Sequence, residues 1–145
     1  MSTNRLFDAL AARPDDAVVL RSATSVWTSK AVRDEVERLT ARLAGARVVA
    51  LLADNSPEWA LTDLAALHAG VVLLPLPGFF TPAQLRHALD QSGADLVVTD
   101  QPERIATLAI GFEPSGTDGD LHWLQRSVAP VELPPGTAKI SYTSG

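Results

Sequence analysis

The sequence predicts an α/β fold, with a mostly parallel β-sheet and helices packed on both of its faces. Three apolar runs, Val48–Leu52, Val71–Leu74 and Leu96–Val98, recur at similar spacing along the chain. Continuous runs of Val and Leu are typical of strands that are covered on both faces. A helical pattern separates each pair of runs, and strand–helix–strand units of this length require crossovers between parallel strands.

A short hairpin and an amphipathic helix are predicted before the first of these strands. The segments Ala17–Leu20 and Ser25–Trp27 predict the hairpin, with a turn near residues 21–24. From Lys30 to Ala44, apolar residues recur at helical spacing and charged residues occupy the other face. The apolar positions of this helix are Val32, Val36, Leu39 and Leu43, and either Thr28 or Ser29 is its candidate N-cap.

Both helices between the predicted parallel strands have clear start and stop signals. The first has Ser56 as a candidate N-cap, Pro57 at its first position and Gly70 beyond its end. The second opens with Thr81–Gln84, which has the spacing of a capping box, and closes at Gly93. Its predicted inward residues are Leu85, Ala88 and Leu89.

The pattern is weaker in the last third of the chain. Glu103–Ile110 predicts a short helix, Gly111–Asp120 a loop and His122–Leu124 a brief strand. Ala129–Thr137 contains three prolines and predicts an extended connector. This connector leads to a predicted final strand, Ala138–Tyr142.

We therefore predict one α/β subdomain over residues 1–145. Its parts are a hairpin and helix over about 1–47, a βαβαβ core over 48–100, a loop-rich connector over 101–137 and a strand over 138–145 that enters a phosphate loop. A chain of this length buries roughly two-thirds of the surface that its unfolded state exposes, so we expect a substantial core.

Composition excludes several classes of function. The formal charge is -5 and there is no basic run, so nucleic acid is not an expected partner. The chain has no cysteine, which excludes disulfides, thiolate nucleophiles and zinc–thiolate sites. Hydrophobic residues make up 46% and charged residues 20%, which is typical of a globular domain.

No targeting or membrane-spanning segment is predicted. Asp8 falls where a signal peptide would need its apolar stretch. Leu64–Ala83 carries no formal charge, but Pro75, Pro77 and Pro82 would break a membrane-spanning helix. The cytoplasm is the default expectation for the location of this protein.

The last seven residues, Lys139–Gly145, are the best candidate for a functional motif. They predict a buried strand that runs into the first glycine of a phosphate loop. Backbone N–H groups of such a turn converge on an anion, and the hydroxyls of Thr143 and Ser144 can add donors. Taken alone, a Ser-Gly pair after a strand is more often an ordinary turn.

Three other features are candidate sites. Asp54–Pro57 follows the first parallel strand, where ligands often bind, although satisfying the start of the next helix is the simpler role. His68, His87 and His122 lie on different predicted elements without metal-ligand spacing, so no metal ligand and no catalytic residue is predicted. Pro75–Phe80 carries two adjacent aromatic residues, which either cover the sheet or form the wall of an acyl tunnel or a docking patch.

Four blocks of the chain resemble, in order, the amino-terminal part of the adenylate-forming enzymes, which include acyl-CoA synthetases, aryl-acid ligases and amino-acid adenylation domains. The blocks are Val48–Trp59, Leu64–Pro75, Thr81–Asp100 and Tyr142–Gly145. The last block resembles the beginning of the family's phosphate loop, Thr-Ser-Gly-Ser/Thr-Thr-Gly-x-Pro-Lys-Gly. The resemblance implies an amino-terminal fragment of a larger enzyme, cut inside this loop.

The resemblance also implies a reaction. The intact enzyme would convert a carboxylic acid and ATP to an acyl-adenylate and pyrophosphate, and would transfer the acyl group to the thiol of CoA or of a carrier protein. ATP and Mg²⁺ would be its cofactors, with Thr143, Ser144 and Gly145 contacting the phosphates. A free-standing ligase, such as one of fatty acid metabolism, is expected rather than a module of an assembly line.

The isolated chain is expected to be inactive and to hold no cofactor, because three residues of the loop supply too few donors for a useful ATP affinity. It is also expected to expose apolar surface and unpaired strand edges, and thus to self-associate. A different class of function is a stand-alone, non-catalytic module that binds a protein partner through Pro77–Phe80 or an open sheet edge. A complete P-loop nucleotidase is disfavoured, because no lysine follows Ser144.

Overall fold

The computed structural model describes residues 14, 17–21, 26–54, 56–134, 136–137 and 139–140. The strands in this part of the chain are β1 (Val18–Arg21), β2 (Val26–Thr28), β3 (Val48–Leu52), β4 (Val72–Pro75), β5 (Leu96–Thr99), β6 (Glu113–Asp118) and β7 (Leu121–Gln125). The helices are α1 (Ser29–Leu43), α2 (Pro57–Ala69), α3 (Pro82–Ser92) and α4 (Pro102–Ala106). None of these four helices is both long and apolar enough to cross a membrane.

The predicted α/β fold with a mostly parallel sheet is confirmed. The larger sheet has five strands in the order β4-β3-β5-β7-β6. β3 pairs in parallel with both β4 and β5, whereas β7 pairs antiparallel with β5 and with β6. β4, β3, β5 and β6 therefore run in one direction, and β7 runs against them.

The chain divides into two compact units, of which the first contains β1, β2, α1 and α2 and the second contains the five-stranded sheet, α3 and α4. In the first unit, β1 and β2 pair antiparallel, as the predicted hairpin requires, and α1 packs against α2. The turn predicted near residues 21–24 falls mostly on residues outside the described ones. The buried residues of α1 include the four predicted apolar positions. That residues 1–145 act as a single subdomain stays a prediction.

The predicted helix starts are confirmed by their capping hydrogen bonds. Thr28 and Ser56 each accept a hydrogen bond from the backbone N–H three residues further on, at 3.2 Å. Thr81 and Gln84 form the predicted capping box: Thr81 Oγ1 accepts from the Gln84 N–H at 3.2 Å, and Gln84 Oε1 accepts from the Thr81 N–H at 2.7 Å. These bonds satisfy donors that a helix leaves unpaired at its start.

The core of the second unit lies between one face of the sheet and helices α3 and α4. Val48, Ala50 and Leu52 of β3 contribute to it, while Val49 and Leu51 point to the opposite face. All five residues are buried, so both faces of β3 are excluded from solvent, as its continuous apolar run predicts. The other buried members of this core are Leu74, Leu76, Phe80, Leu85, Ala88, Leu89, Ala94, Val97, Ile105, Leu108 and Leu124.

The prediction of a loop over Gly111–Asp120 is wrong, because Glu113–Asp118 forms the edge strand β6. Its residues have low strand propensity, and a register shift between Pro114 and Gly116 interrupts its pairing with β7. Proline and a bulge are tolerated at a sheet edge, where they also discourage pairing with another chain. Pairing with β7, rather than local propensity, therefore determines this strand.

The other predictions for this region are confirmed in part. Helix α4 occupies only the first half of the predicted helix and is followed by Ala109, whose φ of 56° is left-handed. Strand β7 contains the predicted strand His122–Leu124. Residues 126–134 have no regular secondary structure, as the three prolines predict.

Asp95 joins the amino-terminal ends of β3 and β5. Its carboxylate accepts hydrogen bonds from the backbone N–H of Arg47, at 3.1 Å to each oxygen, and from that of Val48, at 3.0 Å. The backbone N–H of Asp95 donates in return to the Val48 carbonyl at 3.1 Å. Because hydrogen bonds to a carboxylate are stronger than neutral ones, Asp95 fixes the relative position of the two strands.

Arg126 fixes the end of α3 against the segment that follows β7. Its side chain is only 5% exposed, and its guanidinium lies 4.4 Å from the centroid of the Phe112 ring. The four acceptors of its hydrogen bonds, at 2.8–3.1 Å, are the carbonyls of Leu89, Ala94 and Ile110 and the carboxylate of Asp90. The cation lies near the carboxyl-terminal end of α3, where the helix dipole favours positive charge.

The segment between β7 and Lys139 contains the predicted extended connector Ala129–Thr137, and from here on it is called the connector. It leads from β7 to the outer side of β4. It begins at the amino-terminal end of β5, where the Arg126 N–H donates to the Asp95 carbonyl at 3.0 Å. It ends where Lys139 forms a parallel bridge with Leu73 and the Ile140 N–H donates to the Leu73 carbonyl at 2.8 Å. This bridge is the described part of the predicted final strand Ala138–Tyr142.

We predict that replacing Arg126 destabilises the fold strongly. Arg126→Met would leave three carbonyls and a carboxylate without their donor, and the expected loss is about 2–4 kcal/mol in the free energy of unfolding. Arg86→Met on the exposed side of α3 is the matched control, with an expected change within about 0.5 kcal/mol. Urea denaturation measures both, and equal effects of the two substitutions would contradict the role assigned to Arg126.

Candidate functional site

The carboxyl-terminal ends of β3, β4 and β5 lie side by side, because these strands are parallel neighbours in the sheet. Ligands of open α/β sheets bind beyond the carboxyl-terminal ends of the strands. We name this end of the sheet the carboxyl edge. Three segments leave the sheet here: Asp54 after β3, residues 76–81 after β4, and residues 100–101 after β5. The carboxyl edge is the candidate functional site.

The two adjacent aromatic residues after β4 have opposite surroundings. Phe80 is 4% exposed and belongs to the core, whereas Phe79 is 70% exposed. Their rings meet edge to face, with centroids 5.7 Å apart. For Phe80 the prediction of a residue that covers the sheet is confirmed. Phe79 is left available for contact at the carboxyl edge.

Arg104 holds the Phe79 segment in place. Its guanidinium donates to the Gly78 carbonyl at 3.0 Å and to the Phe80 carbonyl at 2.7 Å, on either side of Phe79. Within the same segment, the Phe80 N–H donates to the Pro77 carbonyl at 3.1 Å. Sequence reasoning missed this role, because Arg104 is a charged residue on a short helix and its acceptors are backbone atoms of a distant loop.

The turn after β5 is held by its own polar groups. Thr99 is fully buried, and its Oγ1 accepts a hydrogen bond from the Gln101 N–H at 2.9 Å. Gln101 Nε2 also donates to the Asp100 carboxylate at 3.4 Å. Hydrogen bonds among neighbouring residues therefore hold the backbone of the turn after β5 in place.

The residues predicted to contact phosphate, Thr143, Ser144 and Gly145, lie outside the described residues, as does Asn55. Ser56 satisfies the start of α2, because its hydroxyl caps this helix. This is the simpler of the two roles predicted for the segment after β3, the other being ligand binding. His87 is exposed, while His68 is half-buried. In the part of the chain that the structure describes, no group of three His, Asp or Glu residues could hold a metal ion.

Lys139 and Ile140 indicate the direction in which the chain runs before the predicted phosphate-contact residues. Lys139 pairs in parallel with Leu73, the second residue of β4. At Ile140 the chain therefore runs in the direction of β4, toward the carboxyl edge. Ile140 also packs against the core of the second unit.

The model of the AMP-binding enzyme family matches residues 6–145. Because this match covers almost the whole sequence, the chain belongs to the AMP-binding enzyme family. The resemblance to adenylate-forming enzymes that the sequence blocks indicate is thereby confirmed.

Two relatives and one solved structure illustrate the range of similar proteins. The chain is 30% identical over 147 residues to a plipastatin synthase protein of Bacillus subtilis (strain 168), a match that covers 97% of the chain and 6% of that protein. It is 27% identical over 71 residues to long-chain-fatty-acid–CoA ligase 6 of Homo sapiens, covering 49% of the chain and 10% of the ligase. The N-terminal subdomain of Klebsiella oxytoca NpsA has the same fold, with a TM-score of 0.59 at 24% identity, over 66% of the chain and 26% of that structure.

We predict that two neighbouring substitutions at the carboxyl edge change the free energy of unfolding by very different amounts. Phe80→Ala removes a buried ring from the core and should lower the free energy of unfolding by about 3–4 kcal/mol. Phe79→Ala removes an exposed ring and should change it by no more than about 0.5 kcal/mol. Thermal and urea denaturation of both variants test this; similar losses would contradict the contrasting burial of the two rings.

Proposed function

We propose that this chain is the amino-terminal α/β part of an ATP-dependent acyl-activating ligase. The intact enzyme converts a carboxylic acid and ATP to an acyl-adenylate and pyrophosphate, and then transfers the acyl group to a thiol such as that of CoA. Membership of the AMP-binding enzyme family carries this proposal. The small share of each relative that the chain covers supports the view that the activity belongs to a larger protein.

Within this enzyme, Thr143, Ser144 and Gly145 contact the phosphates of ATP. Two observations support this role: the order of the sequence blocks, and the parallel pairing of Lys139 with Leu73, which directs the chain toward the carboxyl edge. Backbone N–H groups and hydroxyls are suited to this task, because the transferring nucleotide needs donors that converge on its negative charge. These donors bind and orient the phosphates.

The 145 residues alone are proposed to be inactive. Each hydrogen bond from three loop residues contributes only about 0.5–1.5 kcal/mol, which is far from a useful ATP affinity. ATP and Mg²⁺ are proposed as cofactors of the intact enzyme. The catalytic groups are proposed to lie elsewhere in the enzyme.

The acceptor thiol is proposed to be CoA, with a carrier-protein thiol as the second candidate. Similarity to a fatty-acid–CoA ligase supports CoA. Similarity to the plipastatin synthase protein, at 30% identity over 97% of the chain, supports the second. Both candidates begin by activating a carboxylic acid, and they differ in the thiol that accepts the acyl group.

A non-catalytic module is the other candidate function. The observation that favours it is the exposure of Phe79, whose ring is 70% exposed at the carboxyl edge. Arg104 holds the backbone on either side of this ring by donating to the carbonyls of Gly78 and Phe80. An aromatic residue in such a position is suited to contact with a protein partner. This function requires no ATP.

The proposal is tested on the product of the complete reading frame that encodes this chain. We expect exchange of labelled pyrophosphate into ATP that depends on an added carboxylic acid. Thr143→Ala should lower kcat/KM for the exchange by roughly 10- to 100-fold, because it removes a donor from the phosphates. Ser127→Ala, at an exposed position of the connector, is the matched control and should leave the exchange unchanged.

Two results would overturn the proposal. One is a reading frame that stops after Gly145, without a further Ser or Thr, a glycine and a Pro-Lys-Gly segment. The other is a folded full-length protein that shows no exchange with any member of a panel of aliphatic, aromatic and amino acids.

A further inference from the structure

The five-stranded sheet has two outer strands, β4 at one side and β6 at the other. Beside β4, Lys139 forms a parallel bridge with Leu73, and the Ile140 N–H donates to the Leu73 carbonyl at 2.8 Å. In the part of the chain that the structure describes, β6 pairs with β7 and with no strand on its outer side. A strand of another molecule, or of the rest of a larger enzyme, can therefore reach the sheet at the outer edge of β6.

The backbone of β6 is unsuited to such an addition. An added strand binds through a regular row of N–H and C=O groups. Pro114 has no N–H to offer on either side. Pro114 lies opposite Leu124 and Gly116 opposite Trp123, so Ser115 is the extra residue of a bulge. The row of donors is thus broken in the first half of β6.

The bulge is bound to the neighbouring strand. The Ser115 hydroxyl donates to the Trp123 carbonyl of β7 at 3.2 Å. Trp123 is buried, and on its other side it pairs with Val98 of β5. The irregular part of β6 is therefore attached to an internal strand of the sheet.

The side chains of β6 also disfavour a partner strand. The strand has the sequence Glu-Pro-Ser-Gly-Thr-Asp and contains no large apolar residue. Glu113 and Asp118, at its two ends, are both acidic, so pairing of β6 with a second copy of itself would bring like charges together. Charge, proline and a bulge are three devices that prevent strand addition at sheet edges.

Strand β4 has the opposite character. It consists of Val72, Leu73, Leu74 and Pro75. Leu73 and Leu74 are both fully buried, and because consecutive side chains point to opposite faces, both faces of β4 are covered. An apolar strand that is covered on both faces and paired beyond its outer edge has the surroundings of an internal strand.

We propose that β6 is the terminal strand of this sheet in the intact enzyme, and that the rest of the enzyme joins the sheet only on the side of β4. The segment that carries Phe79 follows β4 and lies on the side that is joined. The existence of a larger enzyme rests on the proposed function, whereas the closed edge of β6 does not. Self-association of the isolated chain, as predicted from the sequence, then uses a surface other than β6.

The first experiment compares hydrogen exchange in the 145-residue chain and in the product of the complete reading frame, by mass spectrometry of peptides. Peptides that cover residues 111–120 should exchange at rates that agree within about threefold in the two proteins, because no strand covers β6 in either. Peptides that cover residues 70–76 should gain at least tenfold protection in the longer protein. A tenfold gain at residues 111–120, or no gain at residues 70–76, would overturn the inference.

The second experiment opens the edge of β6 in the 145-residue chain. Glu113→Thr combined with Pro114→Val restores a backbone donor and removes a charge. We expect self-association at least tenfold tighter than that of the unmodified chain, measured by analytical ultracentrifugation. Glu132→Thr combined with Pro130→Val is the matched control, because it makes the same changes at exposed positions of the connector and should leave self-association unchanged.

Equal self-association of the two double variants would contradict the role assigned to Glu113 and Pro114. Failure of the proposed function gives a different result. It would abolish acid-dependent pyrophosphate exchange in the longer protein, while the effect of the two substitutions in β6 on self-association of the 145-residue chain would remain.

Discussion

Two charged side chains, Asp95 and Arg126, hold the structure together at the amino-terminal ends of the parallel strands. The positions of β3, β5 and α3 relative to one another depend on them. Parallel strands cannot be joined by tight turns, so nothing local in the sequence aligns β3 with β5. The Asp95 carboxylate supplies this alignment by accepting hydrogen bonds from the backbone just before and within β3. Arg126 then attaches the end of α3 to the same edge through backbone carbonyls.

The opposite edge of the sheet is arranged differently. At the carboxyl edge, the segments after β4 and β5 are held by bonds to backbone atoms, including those that Arg104 donates on either side of Phe79. The exposed ring of Phe79 lies at this edge, and the last described residues, Lys139 and Ile140, run beside β4 toward it. Open α/β sheets typically bind their ligands beyond the carboxyl-terminal ends of the strands.

Most of the fold follows from local sequence signals. The apolar runs and the capping residues Thr28, Ser56 and Thr81 predict the central strands and three of the helices, because each signal acts within a few residues. Strand β6 could not be predicted in this way, since its polar residues are held by pairing with β7. Local sequence patterns could not predict the hydrogen bonds of Arg104 and Arg126 either, because the carbonyls that accept them belong to distant segments of the chain. For the candidate site, the sequence blocks indicated the family, whereas the orientation of Phe79 required the structure.

The most direct test of this description is whether the end of the chain joins the sheet beside β4. In a uniformly ¹⁵N,¹³C-labelled sample, a scalar coupling across the hydrogen bond from the Ile140 amide nitrogen to the Leu73 carbonyl carbon reports this pairing directly. We expect the coupling to be detected, because the donor and acceptor are 2.8 Å apart. Absence of the coupling, together with an Ile140 amide that exchanges as fast as in an unfolded peptide, would contradict the parallel pairing on which the proposed phosphate contact rests.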